Sequence, residues 1–200
     1  YRPFLVKEQK ILMMAMESKD TSAQSKAVVD IIKNCTFGKI NDKVEKLPTF
    51  DIEYMFLQIR SKSVGESVEI TITCQDDGET KVPVEINLED IKVVKTKEHS
   101  NVIPITDKIG LTMKYPTMKQ LMKYDMTKID TTEGTFKIIG DCLENIYDEE
   151  TIYDEMSQKE LNDFMEQMTT EQFQKVANFF QTMPTVSYTH LRAHETGWYL

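Results

Sequence analysis

Histidine is the side chain that most often moves protons near neutral pH, and this chain carries three, His99, His190 and His194. His99 lies in the polar segment Lys97-Glu-His-Ser100, which is typical of a solvated turn between strands. The sequence has no Gly-x-Ser-x-Gly nucleophile elbow and neither of the glycine-rich loops that hold phosphates. We therefore predict no catalytic residue and no cofactor-binding residue.

His190 and His194 are spaced i, i+4, which would place two imidazoles on one helix face as a metal pair. However, Val186–Thr196 matches, residue for residue, one reading frame of a common transposase-type sequencing adapter. We therefore interpret residues 185–200 as foreign sequence, with the origin of Thr185 ambiguous, and exclude both histidines from the functional argument.

A second possible metal site is the segment Cys74–Glu79. A structural zinc site needs paired Cys-x-x-Cys knuckles, because four soft ligands must converge, and this segment supplies one cysteine. Asp76, Asp77 and Glu79 could bind calcium, but they lack the spacing of an EF-hand loop. We predict a plain hairpin turn and no metal site.

The segment Tyr147–Glu155 carries five carboxylates. Two of them could in principle do the work of a glycosidase, which needs a pair of carboxylates at a fixed separation. Acidic residues are so abundant in this chain that we predict a charged linker between two helices instead. The alternative is a docking patch in which Ile152 and Tyr153 are the anchors.

Methionine is abundant, with 12 in the chain, and its flexible side chain suits both cores and partner surfaces. Core packing accounts for most of them. Met165, Met168 and Met183 are the candidates for contact with a partner protein.

Bulk composition narrows the class of protein further. The chain has 24 basic and 33 acidic residues, a net charge of -9, which disfavours a nucleic-acid backbone as partner. No apolar run approaches the roughly 20 residues that span a bilayer. Three cysteines without close spacing indicate reduced thiols, and no secretory pattern is present, so a cytoplasmic product is expected.

Hydrophobic periodicity predicts helices at both ends of the chain and an antiparallel β unit between them, an α+β fold. The first predicted helix, Val6 to about Ser18, is apolar on more than one side, which predicts burial between other elements. The predicted parts are a helical part at 1–63, the β unit at 64–116 and a second helical part at 117–184. The other predicted elements are helices at 21–35, 49–64 and 136–146, helices that begin after Thr117, Ser157 and Thr169, a hairpin at 68–74 and 82–86, and strands at 91–95, 102–105 and 111–115.

The segment Arg2-Pro-Phe-Leu-Val-Lys-Glu8, which continues into Ile11-Leu-Met-Met-Ala-Met-Glu-Ser18, resembles the opening of the T-even-type bacteriophage base plate hub protein family. Three further segments resemble the same family in the same order: Cys35-Thr-Phe-Gly-Lys39, Leu47–Tyr54 and Leu57–Glu66. Gln9 departs from the family pattern, which has an acidic residue there. The resemblance is strong over residues 1 to about 90 and vaguer beyond.

The resemblance implies a structural or assembly role in the baseplate hub of a contractile (myovirus) tail, without catalytic residues or cofactors. Its partners would be other hub or tail proteins, and it would be assembled in the host cytoplasm and reside in the virion. One alternative is a transient tail-assembly chaperone. The others are a tail-tip hydrolase or metal protein, and an acidic mimic of nucleic acid.

Overall fold

The computed structural model describes residues 1–18, 20–41, 43–74, 77–124, 131–154 and 156–187, with Thr132 described by its backbone alone. Two compact units make up the chain. The first unit contains Tyr1–Val44, Phe50–Val94 and the chain from Thr185, and the second contains Glu45–Thr49 and Lys95–Pro184. Helices and antiparallel strands occur in both, which confirms the predicted α+β class.

The first unit is built on three helices, α1 (Val6–Glu17), α2 (Thr21–Cys35) and α3 (Thr49–Val64). Asp20 caps α2 by accepting a hydrogen bond from the Ser22 amide at 2.9 Å. The predicted apolar stripe of α2 supplies much of the core, and α3 contributes Phe50, Ile52 and Ile59. The buried residues of α2 are Ala27, Val29, Ile31, Ile32 and Cys35.

One prediction about this unit is wrong. The first helix, α1, is not buried between other elements, because it packs on α2 through one face and only Glu8 and Ala15 are buried. The apolar side chains on its remaining sides stay in solvent. The extended residues before it are held in place, since the Arg2 amide donates to the Cys35 carbonyl at 2.9 Å and the Phe4 amide to Ser63 Oγ at 2.7 Å.

The predicted hairpin is present as β1 (Ser67–Thr73) and β2 (Lys81–Asn87), with Gly78 at φ +67° in its turn. Strand β3 (Lys92–Val94) pairs with β8 (Thr185–Ser187) in a separate two-stranded sheet. Gly78 is required in the β1–β2 turn, because a residue with a side chain disfavours positive φ.

In the residues that the structure describes, the second unit joins an antiparallel sheet to four helices. The sheet order is β4-β5-β6-β7, formed by Val102–Pro104, Gly110–Met113, Leu143–Tyr147 and Ile152–Tyr153. The helices are α4 (Met118–Leu121), α5 (Thr132–Cys142), α6 (Gln158–Glu166) and α7 (Thr170–Thr182). The predicted caps at Thr117, Ser157 and Thr169 are confirmed, each accepting from the amide three residues later.

The helix predicted over 136–146 is wrong over its last four residues. Helix α5 ends at Cys142, and the chain then turns extended at Leu143 to form β6 beside β5. Leu143 and Ile146 are both buried in the core of this unit. Pairing with β5 supplies the backbone hydrogen bonds that a longer helix would have supplied, so tertiary context overrides the local pattern.

Candidate functional surfaces

His99 is not the solvated turn residue that the sequence predicts, because it is only 8% exposed. Its Nδ1 lies 3.0 Å from Thr182 Oγ1 and its Nε2 lies 2.9 Å from the Tyr115 hydroxyl. The Tyr115 hydroxyl in turn donates to Asn101 Oδ1 at 3.1 Å. The imidazole also packs against the Phe179 ring, with 5.1 Å between centroids.

This His99 cluster holds the second unit together rather than activating a proton. Both ring nitrogens contact hydroxyl groups, and neither of these two described partners is a carboxylate that could raise the basicity of the ring. Burial lowers the pKa of His99, and the charge of Lys95 lowers it further. Burial thus favours the neutral form of the ring, and its two contacts join the loop before β4 to the end of α7.

The described residues of the Cys74–Glu79 segment, Cys74 and 77–79, lie between β1 and β2 of the hairpin. Asp77 Oδ1 accepts hydrogen bonds from the amides of Glu79 and Thr80, both at 3.0 Å, and Asp77 Oδ2 accepts from the Thr80 hydroxyl. These bonds, the Thr80 hydroxyl first, lower the pKa of Asp77. The hydrogen bonds of the Asp77 carboxylate thus stabilise the turn in which it lies. Asp76, His190 and His194 lie outside the described residues, among which no group of three His, Cys, Asp or Glu side chains could hold a metal ion.

The acidic segment 147–155 does not link two helices. Residues 148–151 form the tight turn between β6 and β7, in which Asp148 accepts from the amides of Glu150 and Thr151 at 2.9 and 2.7 Å. In β7, which follows this turn, Ile152 is 66% and Tyr153 47% exposed. These two residues, predicted as docking anchors, are therefore accessible to a partner, although the Tyr153 hydroxyl also donates to Asp148 at 3.1 Å.

The three candidate methionines lie in different environments. Met165 is 3% exposed in the core of the second unit, so this conformation does not present it to a partner. Met168 is partly buried against the same core. Met183, the residue that follows α7, is half-buried. Partner contact therefore stays a prediction for Met168 and Met183, and Met165 acts in packing.

Helix α1 carries a group of accessible apolar side chains, Val6, Met13, Met14 and Met16, each more than half exposed. We call this set the α1 face. The same helix also exposes three charged side chains to solvent, Lys7, Lys10 and Glu17. Sequence reasoning missed the α1 face because it assumed that every apolar side of the helix is covered. A helix that packs on a single neighbour can bury only one stripe of its surface.

None of the described helices is long and apolar enough to cross a bilayer. The described residues therefore define an α+β protein with exposed apolar side chains on α1 and on β7, among other positions. The chain belongs to the family of the T4 bacteriophage base plate protein, whose family model matches residues 1–197. Neither the curated proteins nor the solved structures include a match.

Membership in this family confirms the resemblance found in the sequence and makes the chain a structural component of the phage tail baseplate. The match extends over most of the residues interpreted above as a translated adapter. Their foreign origin stays a prediction.

Proposed function

We propose that this protein is a structural or assembly component of the contractile-tail baseplate hub, and that it works by binding other hub or tail proteins rather than by catalysis. The observation that carries the proposal is the α1 face, which leaves three methionines and a valine in solvent on one helix. Family membership gives the assembly in which such a surface would be covered.

The chemistry of the α1 face suits protein contact. Exposed apolar side chains that cluster on one element mark interaction surfaces more often than scattered ones do. Fully burying an exposed methionine side chain contributes about 1.5–3 kcal/mol, and the three on α1 are 56–62% exposed, so covering them would contribute roughly half of that each before the costs of association. Their flexibility lets one helix fit partners of irregular shape. At about 100° per residue Lys10 and Glu17 lie between Val6 and Met14, so the interface would combine polar and apolar contacts.

The net charge of the chain also favours proteins as its partners. A net charge of -9 disfavours binding to nucleic acid, which leaves proteins as the favoured partners. Assembly in the host cytoplasm agrees with three cysteines that are all free within the chain.

The proposal is tested by recovering the tagged protein from infected cells and identifying its partners by mass spectrometry. We expect baseplate proteins with the wild type, and their loss with the double variant Met13→Glu, Met16→Glu, which places charge on the α1 face. The matched control is Gln9→Glu, which adds a charge to the same exposed helix without changing an apolar side chain. Recovery of no baseplate protein with the wild type would contradict the proposal.

The same experiment distinguishes a permanent hub subunit from a transient assembly chaperone when purified virions are also measured. A hub subunit stays in the particle, so its peptides are expected in purified virions. Peptides found in tail-assembly intermediates but absent from virions would instead identify a chaperone.

A further inference from the structure

The β1–β2 hairpin is the longer of the two-stranded sheets described in the first unit. Seven residue pairs join the strands, from Ser67 opposite Asn87 to Thr73 opposite Lys81. Within the described residues no third strand is paired to either of them. An isolated two-stranded sheet is marginally stable in water, whereas a third or fourth strand on an apolar face stabilises it.

The two flanking hydrogen bonds show which backbone groups of β1 are free. The Cys74 amide donates to the Thr80 carbonyl at 2.8 Å, and the Leu88 amide donates to the Glu66 carbonyl at 2.6 Å. Hydrogen-bonded and non-hydrogen-bonded pairs alternate along an antiparallel ladder, so the even-numbered residues of β1 face β2. The outward N–H and C=O groups of β1 therefore belong to Ser67, Glu69, Thr71 and Thr73.

The outer edge of β2 is different, because Pro83 lies in its middle. Pro83 is opposite Thr71, in a pair that makes no hydrogen bonds across the hairpin, so its nitrogen faces the outer edge. Proline has no N–H to donate, which blocks strand addition at that point. Of the two edges, only that of β1 offers a complete row of donors and acceptors.

The side chains of β1 complement themselves. If two β1 strands pair antiparallel with all seven residues in register, Ile70 lies opposite Ile70 of the second copy. Val68 then lies opposite Ile72 on the same face, and these β-branched pairs suit cross-strand packing. On the other face Ser67 meets Thr73 and Glu69 meets Thr71, so no like charges are opposed.

We propose that the β1 edge is a self-association surface: two copies of this chain pair through β1 to form the four-stranded antiparallel sheet β2-β1-β1-β2. The assembly is closed, because the edges left after pairing are those of β2, each interrupted by Pro83. Pairing thus stops at a dimer rather than extending into a fibre.

Sedimentation of the full chain tests the dimer. We expect twice the 23.2 kDa of one chain for the wild type. Thr71→Pro removes an outward donor from β1 and is expected to shift the mass to that of one chain. Glu85→Pro is the matched control, because it removes an outward donor from the β2 edge and should leave the dimer intact. Circular dichroism and thermal unfolding check that both variants are folded.

A disulfide tests the register. In the proposed sheet the two Ile70 residues form a non-hydrogen-bonded pair with Cα atoms about 4.5 Å apart, within reach of a disulfide. In a Cys74→Ser background, Ile70→Cys should cross-link two chains under mild oxidation, and Thr71→Cys should not. A wild type of single-chain mass at all concentrations would overturn the proposal. So would a dimer that Thr71→Pro leaves unchanged, or equal cross-linking at both positions.

Discussion

The carboxylate of Glu8 is completely buried and is held by the Arg2 guanidinium through two contacts, Nη2 to Oε1 at 2.9 Å and Nη1 to Oε2 at 3.3 Å. Glu8 Oε2 also accepts from the Leu5 amide at 2.8 Å, which ties the first turn of α1 to the same pair. The two residues thus fix where α1 begins. The α1 face can be presented to a partner only if this start is fixed.

Removing Arg2 is expected to destabilise the protein more than removing the charge of Glu8. Arg2→Ala leaves the buried carboxylate with only the longer ion pair to Lys7 Nζ, at 3.5 Å, so the cost is expected at the lower end of the range for breaking a buried pair, about 3 kcal/mol. Glu8→Gln keeps the shape of the side chain and an acceptor for the Leu5 amide, so a loss of about 1–3 kcal/mol is expected. Urea unfolding of the two variants measures the difference, and a larger loss for Glu8→Gln would contradict this account of the pair.

The Arg2–Glu8 pair also predicts an acid sensitivity. The hydrogen bonds from Arg2 lower the pKa of Glu8 from 4.5 to about 2, against the effect of burial, which raises it. A carboxyl with a lowered pKa stabilises the folded state above its ordinary pKa, and this contribution disappears as pH falls toward the folded value. We expect the free energy of unfolding to fall between pH 4.5 and 2, and to fall less in Glu8→Gln.

His99 predicts a second pH dependence in a different range. Burial lowers its pKa below the ordinary 6.5, so the unfolded chain takes up a proton more readily than the folded one. The contribution of His99 to the free energy of unfolding is therefore fully present above pH 6.5 and is lost as pH falls below that value. Unfolding in urea, followed by circular dichroism between about pH 7 and pH 5, should show a flatter slope for His99→Gln than for the wild type. An unchanged dependence of the unfolding free energy on pH in His99→Gln would contradict the burial of the imidazole.

Gly110 is required by its cross-strand neighbour. Gly110 of β5 lies opposite Tyr147 of β6, and a Cβ at this position would collide with the tyrosine ring. Gly110→Ala should therefore lower stability by about 1–3 kcal/mol, as overpacking does. Tyr147→Ser removes the tyrosine ring. Gly110→Ala should therefore lower stability less in a Tyr147→Ser background than in the wild type. Equal losses in the two backgrounds, measured by thermal unfolding, would exclude the collision.

Local chemistry explains which elements could be predicted from the sequence. The caps at Ser157 and Thr169 and the turn at Gly78 depend on neighbours within a few residues, and the structure confirms them. Strand β6 could not be predicted, because it pairs with β5, which lies about thirty residues earlier in the chain. A short apolar run fits helix and strand equally well until its partner is known.

The candidate functional residues show the same difference between features set by neighbours in the sequence and features set by distant residues. His99 was assigned to solvent because its own neighbours are polar, yet its partners Tyr115 and Thr182 lie 16 and 83 residues away. Ile152 and Tyr153 were recognisable as apolar residues within an acidic segment and are exposed. The exposed methionines of α1 were attributed to burial, because composition alone cannot show how many neighbours a helix has.

The central claim is that this protein acts through the α1 face within the baseplate, and complementation tests it most directly. A phage that lacks the gene is grown in cells that supply the wild type, Met13→Glu with Met16→Glu, or Gln9→Glu, and tails with complete baseplates are counted by electron microscopy. We predict normal tails with the wild type and Gln9→Glu, and loss of complete baseplates with the double variant, provided that it accumulates to the same level. Full assembly with the double variant would contradict the claim.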